Sequence, residues 1–341
     1  MKQEINEVMI YKNELQLLLN LFGDESIVLD YPLFDLKFFR AKAVKDGYRL
    51  RLLADNENFL DLACDMGEFA DEMPTFDDIK YCMLLSGLID YDNIDDFRDK
   101  LAVFSKLDRT IYFAPDTNLF YQGFVSRSGI TDPHFVVVDT VYEEMEYAIN
   151  YKYKPGYLYH MQQTAHYHDE LLEELANKKL KKARKAAYIA MKQYQSVRDR
   201  VMEVKAAEPS TNNSEKNDLI IVKSLREFDS QNSYGLVVLL TSDTNMADLC
   251  TGKGPECFHF TYPSSMDVEK CTNEELIDLI FSLSTVCGFI KCNSVVVYGE
   301  YGYKKHDDNS MKLVFQDEKL FESFKKELEL CRKLAGLKIE A

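Results

Sequence analysis

Carboxylates placed where strands end are the residues of this sequence best suited to chemistry. The apolar run in IYFAPDTNLFYQGF, residues 111–124, stops at Asp116, Thr117 and Asn118 and then turns apolar again. The same tripeptide returns in GLVVLLTSDTNMADL, residues 235–249, as Asp243, Thr244 and Asn245 behind a second strand-like run, Leu236 to Leu240. Two strand-end aspartates in matching settings point to one site at the lip of an α/β sheet. Glu144 lies in VVVDTVYEEME (136–146), where a buried strand runs into a helix, and Asp218 opens the helix expected at 216–228. Glu143 competes with Glu144 for the second place, and Asp248 is a weaker addition. Carboxylates within ~5 Å repel by roughly 3 kcal/mol per pair at an effective dielectric of 20. Such a cluster must bind a cation, take up a proton, or be held apart. All-oxygen ligands with open positions suit Mg²⁺ or Mn²⁺, and such ions serve phosphodiester hydrolysis. A single Asp at a strand end is more often a turn former or helix cap. Four acids in this order are harder to explain as caps alone.

The elements that must position these acids are legible in outline. Strands are expected at 111–115, 134–138, 236–240 and 257–262, alternating with helices as in a parallel α/β sheet. Residues 1–108 read as a separate α+β unit. It has a helix over 2–22, a hairpin around Asp46-Gly47, and helices near 56–72, 75–88 and 92–107. Residues 263–341 read as an α+β appendage, with helices at 273–290 and 317–335 and strands at 293–299 and 311–316. The polar stretch 206–218 reads as a mobile loop. Residues 157–206 lack Gly and Pro. Leu180, Ala183, Ala187, Ala190, Tyr194, Val197, Val201 and Val204 step by three and four there, the seam of a long helix.

Composition narrows the function classes. The chain has 341 residues and a net charge of −16. That balance argues against a general nucleic-acid coat protein. Basic charge is nevertheless concentrated in 177–206, which nets +8 and leaves −24 elsewhere (−16 less +8). Lys178, Lys182, Lys185 and Lys192 fall off the apolar seam and are candidates for phosphate contact. Tyr301, Tyr303, Lys304 and Lys305 form a second, lesser candidate, able to stack on bases and hold phosphates. The eight cysteines contain no CxxC pair, which suggests reduced thiols in a cytoplasm and no zinc site. No apolar stretch reaches the ~18 residues of a membrane span. His160, His166 and His168 do not share one helical face, no nucleophile elbow is present, and no glycine-rich phosphate loop occurs.

The acidic motifs together resemble the PIN-domain nucleases. The matching segments are PDTN at 115–118, VVVDTVYEEME at 136–146, ND at 217–218 and TSD at 241–243, within about residues 109–262. The resemblance implies a PIN-like (Rossmann-like), mostly parallel sheet with helices on both faces, interrupted by a long helical insertion at about 150–215 and flanked by the α+β accessory domains 1–108 and 263–341. It implies a metal-dependent endoribonuclease that leaves 5′-phosphate and 3′-hydroxyl ends. Asp116, Glu144, Asp218 and Asp243 would be the Mg²⁺ or Mn²⁺ ligands, with Glu144 preferred to Glu143 because it directly precedes the apolar Met145. Thr241 and Asn118 would orient them. The expected partner is RNA, single-stranded before duplex, with no membrane. DNA, a second copy of the chain and a protein partner stay open. The alternatives are a structure-specific DNA nuclease, as in the flap endonucleases with a related core, or a non-cleaving nucleic-acid-binding scaffold.

Overall fold

A computed structural model describes residues 6–130, 134–211, 213–252, 254–299 and 309–337. The chain separates into two compact units. One comprises Met1–Leu88, Lys152–Lys181 and Met266–Ala341, and the other Ile89–Tyr151 and Lys182–Ser265. The molecule is therefore mixed α/β, with one antiparallel sheet and one parallel sheet flanked by helices.

The first unit departs from the expected layout. The N-terminal and C-terminal segments, expected as separate domains, share one eight-stranded sheet. Its edge strand Glu7–Tyr11 pairs antiparallel with Ser310–Phe315. Part of the helix expected over 2–22 is thus a strand; among the described residues of that span only Leu15–Phe22 is α-helical, and residues 2–5 lie outside them. The reason is tertiary: EVMIY pairs, residue for residue, with a strand some 300 positions away. The expected hairpin is present, with Leu36–Val44 and Gly47–Leu52 joined through Lys45 and Asp46. Gly47 sits at φ +123°, and a Cβ there would meet the Cys271 carbonyl oxygen at 2.2 Å, so no other residue fits. Residues 152–181, expected within the nuclease core, belong to this unit instead. Lys181 anchors them: its Nζ donates to Asp78 at 3.0 Å and to the Met73 carbonyl at 2.6 Å. Tyr153 donates to the buried Glu72 at 2.5 Å.

The second unit carries the parallel sheet. Its five strands, in chain order, are Thr110–Pro115, Phe135–Val138, Val201–Val204, Gly235–Thr241 and Glu256–His259. Their spatial order is third, second, first, fourth, fifth, and every pairing is parallel. Parallel strands are covered on both faces, so the inner ones read as unbroken apolar runs. Val136, Val137, Val138 and Val237 through Leu240 are accordingly buried. Phe97, Phe113, Phe124, Phe258 and Phe260 pack ring against ring within the same core.

The expected long helix over 157–206 is not continuous. It is broken into the helix Pro155–Thr164, a 3-10 stretch Asp169–Leu175 and a run Lys181–Val197 with a π-helical segment at Lys185–Ala190. The π segment adds a residue to the turn and shifts the seam, so Ala186 and Ile189 join Ala183, Ala190, Tyr194 and Val197 in the core. Val201 and Val204 lie on the third strand, not on a helix. No helix among the described residues is long and apolar enough to cross a membrane. Five of the eight cysteines are buried, and none of the eight forms a disulfide.

Candidate active site

Strand order reverses between the first and fourth strands, which lie side by side in register: Ala114 faces Leu239 and Pro115 faces Leu240. Chains leaving their C-terminal ends depart to opposite sides and open a crevice there. Asp116 and Asp243 follow these two strands, so the repeated tripeptide marks two neighbouring strand ends. Each Asp caps the helix it precedes. Asp116 Oδ1 accepts from Leu119 N at 2.9 Å, and Asp243 Oδ1 accepts from Asn245 N at 2.7 Å and Met246 N at 3.3 Å. Capping and facing the crevice are not exclusive, because both carboxylates also line the same open cleft of about 1180 Å³.

Thr241 ties the two together. Its buried hydroxyl donates to Asp116 Oδ2 and accepts from Asp243 N at 2.9 Å. Glu144 enters the cleft from the helix Asp139–Ile149 and Asp218 from the helix Ser214–Gln231. Glu144 is held at both oxygens: Thr117 Oγ1 donates to Oε2 at 2.6 Å and Asn217 Nδ2 to Oε1 at 2.7 Å. Glu143, the competing acid, is exposed at the rim. Asp248 is exposed and lies outside the cleft lining.

Two of the four acids show the crowding. Asp116 is 2% exposed, and burial, helped by the charges of Asp243 and Asp218, pushes its pKa up to about 7 against the opposing bonds from Thr241 and Leu119. Asp218 is pushed up to about 6 by burial, then by Asp243, Glu144 and Glu215. Seven described lining residues are Asp or Glu, and one, Lys182, is basic. The donor set is all oxygen and undercompensated, which suits a hard divalent cation in type. Among the described residues, no three His, Cys, Asp or Glu side chains stand close enough to hold an ion as they are. Binding one would therefore require the side chains to draw together.

Several expected residues sit elsewhere. Asn118 is exposed and makes no side-chain hydrogen bond among the described residues, and Thr117 beside it does the orienting. Lys178 precedes the helix and belongs to the other unit, where its carbonyl accepts from Tyr153 N at 3.0 Å. Lys182, Lys185 and Lys192 are on the helix, but only Lys182 lines the cleft. The four lysines do not form one face. Tyr301, Tyr303, Lys304 and Lys305 lie outside the described residues. His166 faces Asp65 at 3.9 Å and His168 faces Glu170 at 3.3 Å, each exposed.

Besides Thr117, sequence reasoning missed the role of Asn217. Asn217 is 3% exposed, and its amide also donates to the Thr211 carbonyl at 3.0 Å. Its Oδ1 accepts from Thr211 N at 2.8 Å and Oγ1 at 3.1 Å. The polar loop before the helix is thereby folded onto the support of Glu144. Asn beside Asp218 was the available signal, but only the loop's return makes it a positioning residue.

No family model matches this chain, and no curated protein matches it. Among solved structures it is similar to a domain of a functionally unknown protein from Methanocaldococcus jannaschii DSM 2661, at 16% identity and a TM-score of 0.28, over 48% of this chain and 99% of that one. A likeness of that size carries no functional argument.

Proposed function

We propose that the parallel-sheet unit is a PIN-like, metal-dependent endoribonuclease. One observation carries the reading: four carboxylates from four separate elements line one open cleft at the strand-order reversal, with a single lysine against them. Structural caps need no such convergence. Asp116, Glu144, Asp218 and Asp243 would hold Mg²⁺ or Mn²⁺. A divalent ion there supplies the positive charge that a phosphodiester requires as attack proceeds.

The chain's own residues do the positioning. Thr241 and the Leu119 N–H hold Asp116, while Thr117 and Asn217 hold Glu144. These bonds fix which oxygens of Asp116 and Glu144 stay turned to the cleft as the acids draw together around an ion. Without a cation, Asp116 keeps its proton to unusually high pH, which lessens the crowding.

The test is cleavage of labelled single-stranded RNA and of flap DNA, with Mn²⁺ and with chelator. RNA cut only with the divalent ion, and not by Asp116→Asn, supports the reading. Preferential cutting of the flap would make the protein a DNA nuclease. Binding with no cutting under any divalent ion would make it a scaffold.

A further inference from the structure

The cleft is a poor receptor for a polyanion if side-chain charge alone is considered. Seven acidic side chains and one lysine line it among the described residues. Even with cations neutralising the floor, Glu143, Glu146 and Glu215 remain at the rim. Affinity for a strand must then come mainly from something other than phosphate contacts.

The rim offers that alternative. Tyr147 lies in the last turn of the helix Asp139–Ile149, and Tyr151 stands just beyond its end. Both line the cleft, at 58% and 37% exposure. Their ring centroids are 5.6 Å apart with planes at 81°, so the edge of one ring braces the other. An edge-to-face contact covers at most one face of one ring, so the pair keeps uncovered ring surface, in line with the exposure of both residues. Large aromatic faces held open beside a cleft recognise flat unsaturated rings. A nucleobase has such a face whatever its sequence, but offers it only when unpaired.

We propose that Tyr147 and Tyr151 form a base-stacking shelf that makes the cleft selective for single-stranded nucleic acid through base faces and not through phosphate charge. The inference rests on the nuclease reading of the same cleft. The shelf holds an unpaired base beside the acids and so sets which segment of a strand enters. Neither tyrosine touches Asp116 or Glu144 through a described hydrogen bond, so the shelf can be removed without dismantling the acidic floor.

The experiment measures binding by the full chain, in calcium, of a 5′-fluorescent single-stranded RNA of about a dozen nucleotides. The comparison ligands are the same strand with its central bases replaced by abasic sites, a single-stranded DNA, and a blunt RNA duplex. The expected result is that the parent binds RNA and DNA single strands alike, and loses about ten- to a hundredfold on the abasic strand or the duplex. Tyr147→Ala/Tyr151→Ala should bind the intact strand that much more weakly and no longer distinguish it from the abasic one. Tyr147→Phe/Tyr151→Phe should keep the parent's preference, because the ring faces remain. The abasic arm perturbs no protein residue, so it decides the matter even if the double Ala variant misfolds. A parent that binds intact and abasic strands equally, or prefers the duplex, overturns the shelf. If that parent still cuts RNA with Mn²⁺, only the shelf falls. If it neither binds nor cuts any strand, the nuclease reading falls with it.

Discussion

Asp116→Asn removes a charge from the most buried acid of the cleft while keeping its shape. Burial first, then the charges of Asp243 and Asp218, raises the native pKa of Asp116 from 3.8 to about 7. The folded state therefore holds the proton more tightly than the unfolded chain. Stability from this group is complete below about pH 4 and is lost as pH rises to about 7. A shift of about three units corresponds to a ceiling of about 4 kcal/mol above pH 7, at ~1.4 kcal/mol per unit. Asn escapes that cost. It keeps the cap, since its Oδ1 can still accept from Leu119 N. Its amide nitrogen instead faces the Thr241 hydroxyl, which already accepts from Asp243 N. Losing a good Thr241 bond costs about 1 kcal/mol, so a net gain of about 1–3 kcal/mol is expected at about pH 8 in chelator. Thermal unfolding should show the parallel-sheet unit several degrees more stable at that pH. The gain should vanish near pH 4. A midpoint that falls at pH 8 would refute the picture of a crowded, uncompensated acid and leave Asp116 a structural carboxylate held by its hydrogen bonds.

Other outcomes follow from the same geometry. Mn²⁺ at about a hundred times its Kd should stabilise the parent by about 2.7 kcal/mol, and Asp116→Asn/Asp243→Asn should abolish the shift in a melting experiment. Asn217→Ala frees one oxygen of Glu144 and unties Thr211. It should lower RNA cleavage about ten- to a hundredfold, as expected for a residue that orients a metal ligand, while circular dichroism stays native. Replacing Lys182, Lys185 and Lys192 with Gln should flatten the log K against log salt plot by about 0.7, the contribution of Lys182 alone, and not by the ~2 expected if all three meet phosphate. In the antiparallel unit, Asp30 is buried opposite Lys291 and Lys37, and burial pushes its pKa up to about 6. Its ionisation should cost up to about 3 kcal/mol as pH rises from about 4 to 6, so Asp30→Asn should stabilise near pH 8 and not near pH 4.

The strand ends at Asp116 and Asp243 and the helices bearing Glu144 and Asp218 could be read from local pattern. A buried parallel strand is a short apolar run, and each acid sits at its junction with a helix. Their common cleft needed the strand order, because only adjacency of the first and fourth strands brings residues 116 and 243 to one edge. Other features had no local expression. Glu7–Tyr11 looks amphipathic in either conformation until Ser310–Phe315 supplies the missing backbone partners. Val201–Val204 continues a helical spacing by accident and becomes a strand because Phe135–Val138 has a free edge to offer. Lys178 and Lys182 are one helical turn apart in sequence, yet the helix begins between them and the chain passes there from one unit to the other. Asn217 became visible as a support for Glu144 only when the preceding loop returned to it. The sequence alone thus determined which residues could carry charge at the ends of short apolar elements. Tertiary structure decided which of them share a cleft, because pairing and loop return join residues that no local periodicity connects.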